Sequence, residues 1–319
     1  MRCFVTGGAG FIGSTLVDRL LARRCEVVAY DNFSTGQRRF VAEAGALSGF
    51  TLVEGDTLDA AALAAAMRGS DVVYHLAANA DVRFGTEHPR KDLEQNTIAT
   101  FNVLEAMRAN GVRRIAFAST GSIYGDPTVF PTPETAPFPV QTSMYGASKL
   151  AGEGLIEAYA EGFGFEAFIF RFVSILGERY SHGHVVDFYR SLRADPSELR
   201  VLGDGHQRKS YLYVGDCIEA ILTAMDRPTA GNVQILNLGT DEYCALDDSI
   251  GWITQHLGVA PRLVYSGGDR GWIGDSPFIF LDTARIRALG WTPSLSIRQG
   301  VIRTLEYLQR NPWLLDQRA

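Results

Sequence analysis

Apolar residues along this chain gather in short continuous runs, and longer stretches of helical spacing lie between them. Met1-Arg2-Cys3-Phe4-Val5 is the first run and reads as a buried strand; Ser14 to Leu21 then carries apolar residues at helical spacing. Further strands are predicted at Glu26–Tyr30, Phe50–Glu54, Asp71–Ala78, Arg114–Ala118 and Phe165–Phe172. Helices are predicted at Asp59–Met67 with Asp59 as cap, at Pro89–Ala109 ending near Asn110-Gly111, and at Ser143–Glu161. Strands linked by helices imply a parallel sheet covered on both faces, a doubly wound α/β fold. Ligands of such sheets bind at the carboxyl ends of the strands, where Asp31, Asp56, Ala77, Ala78, Ser119 and Thr120 fall. Phe130 to Pro139 holds Pro131, Pro133, Pro137 and Pro139 and reads as a loop bordering the cleft. Beyond about Ser174 the alternation breaks down. Turns at Gly203-Asp204-Gly205 and Gly267-Gly268 then alternate with short helices such as Val214–Met225 and Leu246–Leu257. The expected division is a doubly wound domain over 1–173 and, over 174–319, mainly a smaller α/β lobe for substrate. Some segments of the second part are expected to return to the first.

Thr6-Gly7-Gly8-Ala9-Gly10-Phe11-Ile12-Gly13 joins the first strand to the first helix. Glycines let the backbone come close to a phosphate, and a helix N-terminus offers it free N–H groups and a positive dipole end. Gly8, Gly10 and Gly13 fit G-x-G-x-x-G; Gly7, Gly10 and Gly13 fit G-x-x-G-x-x-G, and both registers stay open. The second strand ends in Asp31, at the distance where a carboxylate can accept hydrogen bonds from both hydroxyls of an adenosine ribose. Strand, glycines, helix, strand and acid in this order predict a dinucleotide-binding Rossmann domain. Because Asp31 would repel a 2′-phosphate, the expected cofactor is NAD.

Composition narrows the partners. The 319 residues are 46% hydrophobic and 21% charged, an ordinary globular balance. A net charge of −6 gives no reason to expect nucleic acid or an anionic membrane as partner. No apolar run is long enough to span a bilayer, and no signal peptide is expected. Cys3, Cys25, Cys217 and Cys244 lack metal-ligand spacing and read as reduced core thiols of a cytoplasmic protein, with no metal site.

Tyr145-Gly146-Ala147-Ser148-Lys149 carries the candidate chemistry. Four residues on a helix put phenol and ammonium on one face, one turn apart. The cation is expected to draw the Tyr145 pKa towards neutrality, so that the phenolate can act as a base. Thr120, at a strand end, can donate to a substrate hydroxyl or relay its proton. His75 reads as a packed histidine rather than a catalyst.

These motifs, with Asp31-Asn32, His75-Leu76-Ala77-Ala78, Ser119-Thr120 and Tyr124-Gly125-Asp126, resemble the extended short-chain dehydrogenases/reductases. Among those the chain is similar to the nucleotide-sugar epimerases of the UDP-glucose (UDP-galactose) 4-epimerase type. The likeness runs nearly end to end. It includes Asn79-Ala80-Asp81-Val82-Arg83, Gly203-Asp204-Gly205, Tyr211-Leu212-Tyr213-Val214 with Asp216, and Arg270-Gly271-Trp272 before Gly274-Asp275.

The resemblance implies tightly held NAD, with Asp31 on the ribose and Asp56 near the adenine. It implies Tyr145 as base, Lys149 on the nicotinamide ribose, Thr120 on the sugar hydroxyl, and Asn96 holding a water near the site. The cofactor surface is expected to comprise Gly7, Gly10, Phe11, Ile12 and Gly13, then Asp31, Asn32, Ser34, Thr35 and Gly36, and Asp56 with Thr57. Leu76, Ala77, Ala78, Asn96, Ser119, Phe172 and Val173 complete it. Substrate contacts are expected from Arg83, Thr120, Gly121, Ser122, Tyr145, Ser174, Arg208, Lys209 and Arg270. A homodimer through the helices at Pro89–Ala109 and Ser143–Glu161 is also implied.

Three departures bear on this expectation. Arg171-Phe172-Val173-Ser174 has serine where the family carries asparagine. Lys209, beside Arg208, stands where an arginine is usual. Gly121-Ser122 follows Thr120, where related dehydratases place an Asp-Glu pair and a decarboxylating relative a glutamate. A glycine and a serine cannot deprotonate C5 of a sugar, so simple inversion at C4 is the expected reaction. UDP-glucuronate or another nucleotide sugar, a reductase on the same scaffold, and a non-enzymatic NAD sensor are the rival readings.

Overall fold

Each central strand is apolar on both faces, and the strands pair into one parallel sheet. Its order is Val233–Leu238, Glu166–Phe172, Arg114–Thr120, Val72–His75, Arg2–Thr6, Glu26–Asp31, Phe50–Glu54. The computed structural model describes the chain except residues 80–81, 139, 229–230, 277 and 317–319, with 82–84 described by backbone alone. Alternate residues feed two cores. Phe4, Val28, Val73, Ile115, Phe117 and Ile169 face one layer; Cys3, Val5, Ala29, Tyr74, Ala116 and Phe168 face the other. Strand order reverses between Arg2–Thr6 and Val72–His75, and the crevice of a doubly wound sheet opens at that point.

The predicted strands and the helices capped by Asp59 and Ser143 form where the pattern places them. Asp59 accepts from Ala62 N at 3.0 Å and Ser143 from Gly146 N at 3.0 Å. Two elements differ. The strand expected over Asp71–Ala78 stops at His75, because the Ala77 N–H turns to Thr6 Oγ1 at 3.2 Å. The helix expected over Pro89–Ala109 runs as Pro89–Asp92, a π-helical turn Leu93–Ile98, and Ala99–Asn110. The wider turn carries the buried Asn96 amide, which accepts from Asn79 N at 2.8 Å and donates to Ser148 Oγ at 2.9 Å.

Val214–Met225 and Leu246–Leu257 are helices, as the pattern predicts. Val233–Leu238 pairs with Glu166–Phe172 and supplies the seventh strand from beyond residue 173. His184–Ala194 and Ile297–Arg310 are further helices. Short parallel pairs, Ser174–Leu176 with Tyr211–Tyr213 and Glu198–Val201 with Arg262–Tyr265, build the wall facing the sheet. Gly203 pairs with Gly267, which brings the two glycine turns together. Among the described residues no helix is long and apolar enough to cross a membrane.

Candidate functional site

At the switch point the two parts of the chain enclose a cavity of about 650 Å³. Its floor is the glycine turn. Gly7 adopts φ +69°, a conformation that L side chains rarely adopt. A Cβ on Gly13 would lie 2.0 Å from Gly7 O, so only glycine lets helix and turn close together. A Cβ on Gly8 would instead meet the Ala29 Cβ at 2.6 Å, away from the opening. Gly7, Gly10 and Gly13 therefore face the cavity, with Phe11 and Ile12, and Gly8 packs beneath. Helix Phe11–Ala22 has no side-chain cap, so its first N–H groups stay available to an anion. A cradle this close, with free amides, fits the pyrophosphate of a dinucleotide.

Asp31 is 6% exposed and held in place by two amides, Ala9 N at 2.9 Å and Phe33 N at 2.8 Å. Burial raises its pKa against those two bonds. Asn32, Ser34, Thr35, Thr57, Leu76, Ala77 and Ala78 line the same end. Gly36 lies under the Asp31 carboxylate, where a Cβ would come 2.7 Å from Oδ1. Asp56 is not among the lining residues. Its oxygens accept from Asn32 Nδ2 and Leu58 N, both at 2.9 Å, so it orients Asn32.

Ser119, Thr120, Ser122, Tyr145, Phe172, Val173 and Ser174 line the other end. Thr120 Oγ1 donates to Ser122 Oγ at 3.2 Å and accepts from Ser122 N at 3.1 Å. Gly121 packs against Phe172 O and Ile279 instead. The expected fall in the Tyr145 pKa is reversed: burial pushes it up to about 12, a Thr120 hydrogen bond opposing and Asp92 reinforcing. Lys149 is 1% exposed, with Nζ over the Phe117 ring at 4.1 Å, and burial lowers it to about 7. Spacing placed phenol and ammonium on one helix face, but removal from water governs both.

Asn96 does not line the cavity. It belongs to a buried chain that runs from Thr6 Oγ1 to His75 Nδ1 (2.7 Å), from His75 Nε2 to Thr100 Oγ1 (3.0 Å), and on to Asn96 O (2.5 Å). Thr6 Oγ1 also accepts two amides, so its proton goes to Nδ1 and the His75 Nε2–H donates to Thr100. That neutral tautomer suits a ring that burial holds at about 3.

The expected anion-binding cations separate. Lys209 lines the cavity, bonded to Asp275 Oδ1 at 2.6 Å and to Ser276 O. Arg208 lies off it, stacked on Phe278 at 4.1 Å. Arg270 also lies off it, bonded to Asp126 Oδ2 at 2.7 Å and Asp275 O at 2.8 Å. The Arg83 side chain lies outside the described residues. Sequence reasoning missed Gln95, Arg200, Gln207, Asp187 and the run Tyr180–His184, all of which line the cavity. The apolar spacing of Val185, Val186, Phe188 and Leu192 marks the helix His184–Ala194, which carries Asp187 and starts at the end of that run. Among the described residues no cluster could hold a metal ion.

A parallel sheet with its phosphate cradle at the switch point, threonine and tyrosine across the same cavity, and a lysine buried behind the lining one helical turn from the tyrosine, defines an extended short-chain dehydrogenase/reductase. The family model for the NAD dependent epimerase/dehydratase family matches residues 3–239, and the chain belongs to that family. NAD is its cofactor. A putative UDP-glucose 4-epimerase of Methanocaldococcus jannaschii is 31% identical over 96% of this chain and 98% of its own length. A crystal structure of UDP-galactose 4-epimerase is 38% identical, with a TM-score of 0.88 over 98% of this chain and all of that one. A Thermotoga maritima UDP-glucose 4-epimerase, solved with UDP-glucose, is 30% identical with a TM-score of 0.87 over the same shares.

Proposed function

We propose that the protein inverts C4 of a nucleotide-activated hexose of the UDP-glucose/UDP-galactose type through a transient 4-keto sugar. The observation that carries this is the end of the strand Arg114–Thr120. Thr120 and Tyr145 share the cavity wall with Ser122, and no carboxylate stands at 121 or 122. NAD, when bound, is a reversible acceptor for the C4 hydride. Gly7, Gly10 and Gly13 take its pyrophosphate and Asp31 its adenosine ribose. Tyr145, a phenol in the cofactor-free cavity, is the group placed to exchange a proton with the C4 hydroxyl, and Thr120 fixes that hydroxyl by its own hydrogen bond. Lys149, as an ammonium, contacts the nicotinamide ribose and favours the phenolate. With no carboxylate beside Thr120 to act on C5, the ketone is reduced again, on either face. Lys209 and Arg200 are the cavity-lining cations for the diphosphate.

Residues 1–173 with the strand Val233–Leu238 form the cofactor half, and the remainder mainly the substrate half. Leu93, Ile98, Phe101 and Phe163 are large apolar side chains left 40–50% exposed on the predicted dimer helices, which supports a homodimer. Four buried free cysteines support a cytoplasmic setting.

The test uses UDP-hexose deuterated at C4 in ordinary water. Deuterium is expected to remain at C4 of the inverted product, with no solvent hydrogen at C3 or C5. A 4-keto-6-deoxy or pentose product, or loss of the label, refutes the reading.

A further inference from the structure

Two charged side chains beneath the cleft have no part in the chemistry above. Glu153, on the helix Met144–Phe163, and Arg171, on the strand Glu166–Phe172, are each 1% exposed. Arg171 Nε donates to both Glu153 oxygens at 3.1 and 3.2 Å, and Nη2 to Oε2 at 2.7 Å. Arg171 Nη1 donates to Tyr124 OH at 2.8 Å and Glu134 O at 3.1 Å. Ser119 Oγ, next to Thr120, donates to Glu153 Oε1. A well-packed apolar pair of this volume is often no less stable than a buried ion pair. The charges therefore call for a use other than stability.

Glu153 lies one helical turn beyond Lys149, as Lys149 lies one turn beyond Tyr145. The Phe117 ring replaces only part of the hydration that the Lys149 ammonium has lost. We propose that Glu153 is a positioning residue for the reaction: the counter-charge that keeps Lys149 protonated for the cofactor, its carboxylate fixed by Arg171 and Ser119. This rests on the reading of Lys149 as a cofactor contact.

The surroundings leave Glu153 as the source of this effect. Against burial, which lowers the Lys149 pKa, Glu153 is the group that raises it. From the strand Val72–His75, His75 faces Lys149 as a neutral ring. On the same helix Tyr145 is held as a phenol, with Asp92 acting on it. Glu157, a turn further on, has its own pKa raised by burial and by Glu153, with Arg171 opposing. Arg171 meets the group through Glu153.

The experiment measures NAD binding to cofactor-stripped protein by calorimetry from pH 6 to 9.5. Affinity is expected to weaken as Lys149 loses its proton, and Lys149→Met removes that step. Glu153→Gln is expected to move the step down by about one pH unit while leaving affinity at pH 6 within about threefold. Glu153→Asp is expected to restore most of the shift. If Glu153→Gln does not fold, the double variant Glu153→Met/Arg171→Met removes both charges without stranding either, and the step still moves down. A step that stays in place in the folded variant overturns the proposal and leaves the Lys149 reading standing. A wild-type curve with no Lys149-dependent step overturns both.

Discussion

Lys149→Met is expected to make the cofactor-stripped protein more stable while it abolishes function. A side chain whose pKa drops from 10.5 to about 7 on folding disfavours the folded state by about 4 kcal/mol at pH 7. Local relaxation and water entry reduce this to roughly 2–4 kcal/mol. Methionine fills nearly the same volume and still meets the Phe117 ring favourably. The sign in pH follows from proton counting. Between pH 7 and 10.5 the unfolded chain binds more protons than the fold, so wild-type stability rises with pH there. The penalty is full below pH 7, falls as pH rises, and vanishes above about 10.5. The assay is thermal unfolding of wild type and Lys149→Met, both stripped of NAD, across pH 6.5–9.5. At pH 7 the variant is expected to melt about 4 °C higher or more, and the gap should close as pH rises. A variant that melts lower at pH 7, or a gap that does not change with pH, refutes the reasoning.

Tyr145→Phe keeps the ring and loses the base; turnover is expected to fall roughly 10²-fold or more with sugar-nucleotide binding retained, read from steady-state kinetics and calorimetry. Activity within a few-fold of wild type would remove Tyr145 from that role. Gly13→Ala drives a Cβ into backbone 2.0 Å away, so NAD affinity is expected to fall at least tenfold. Gly8→Ala meets Ala29 instead and should cost about 1–3 kcal/mol of stability, seen by denaturant unfolding. Asp31 should keep NADP binding at least tenfold weaker than NAD, and Asp31→Ala with a neighbouring arginine should narrow that ratio.

What could be read from the sequence was what is local. The strand ends that carry Asp31, Ala77 and Thr120 follow from apolar runs and their turns, and the Tyr145–Lys149 pair follows from helical periodicity. The glycine register did not, because it is decided by Ala29 on the next strand. Neither did the π-helical turn at Leu93–Ile98, whose cause is where the Asn96 amide finds partners 17 and 52 residues away. Arg200 and Gln207 come from short strands and turns without periodicity, so nothing near them in sequence points to the cavity. The Tyr145 pKa shows the same limit. Spacing reports proximity to a charge, while desolvation depends on everything packed around the helix.

The position of the seventh strand sets a schedule for synthesis. Glu166–Phe172 is complete on the ribosome about sixty residues, or roughly 3–12 s, before Val233–Leu238 emerges to cover its edge. During that interval an edge strand carrying Ala167, Ile169 and Phe170 has unpaired amides and carbonyls on its outer side. The nucleotide-binding sheet closes only after the helix Val214–Met225 has been made. A nascent chain stalled in that gap would therefore be most exposed to strand-to-strand aggregation and to capture by chaperones.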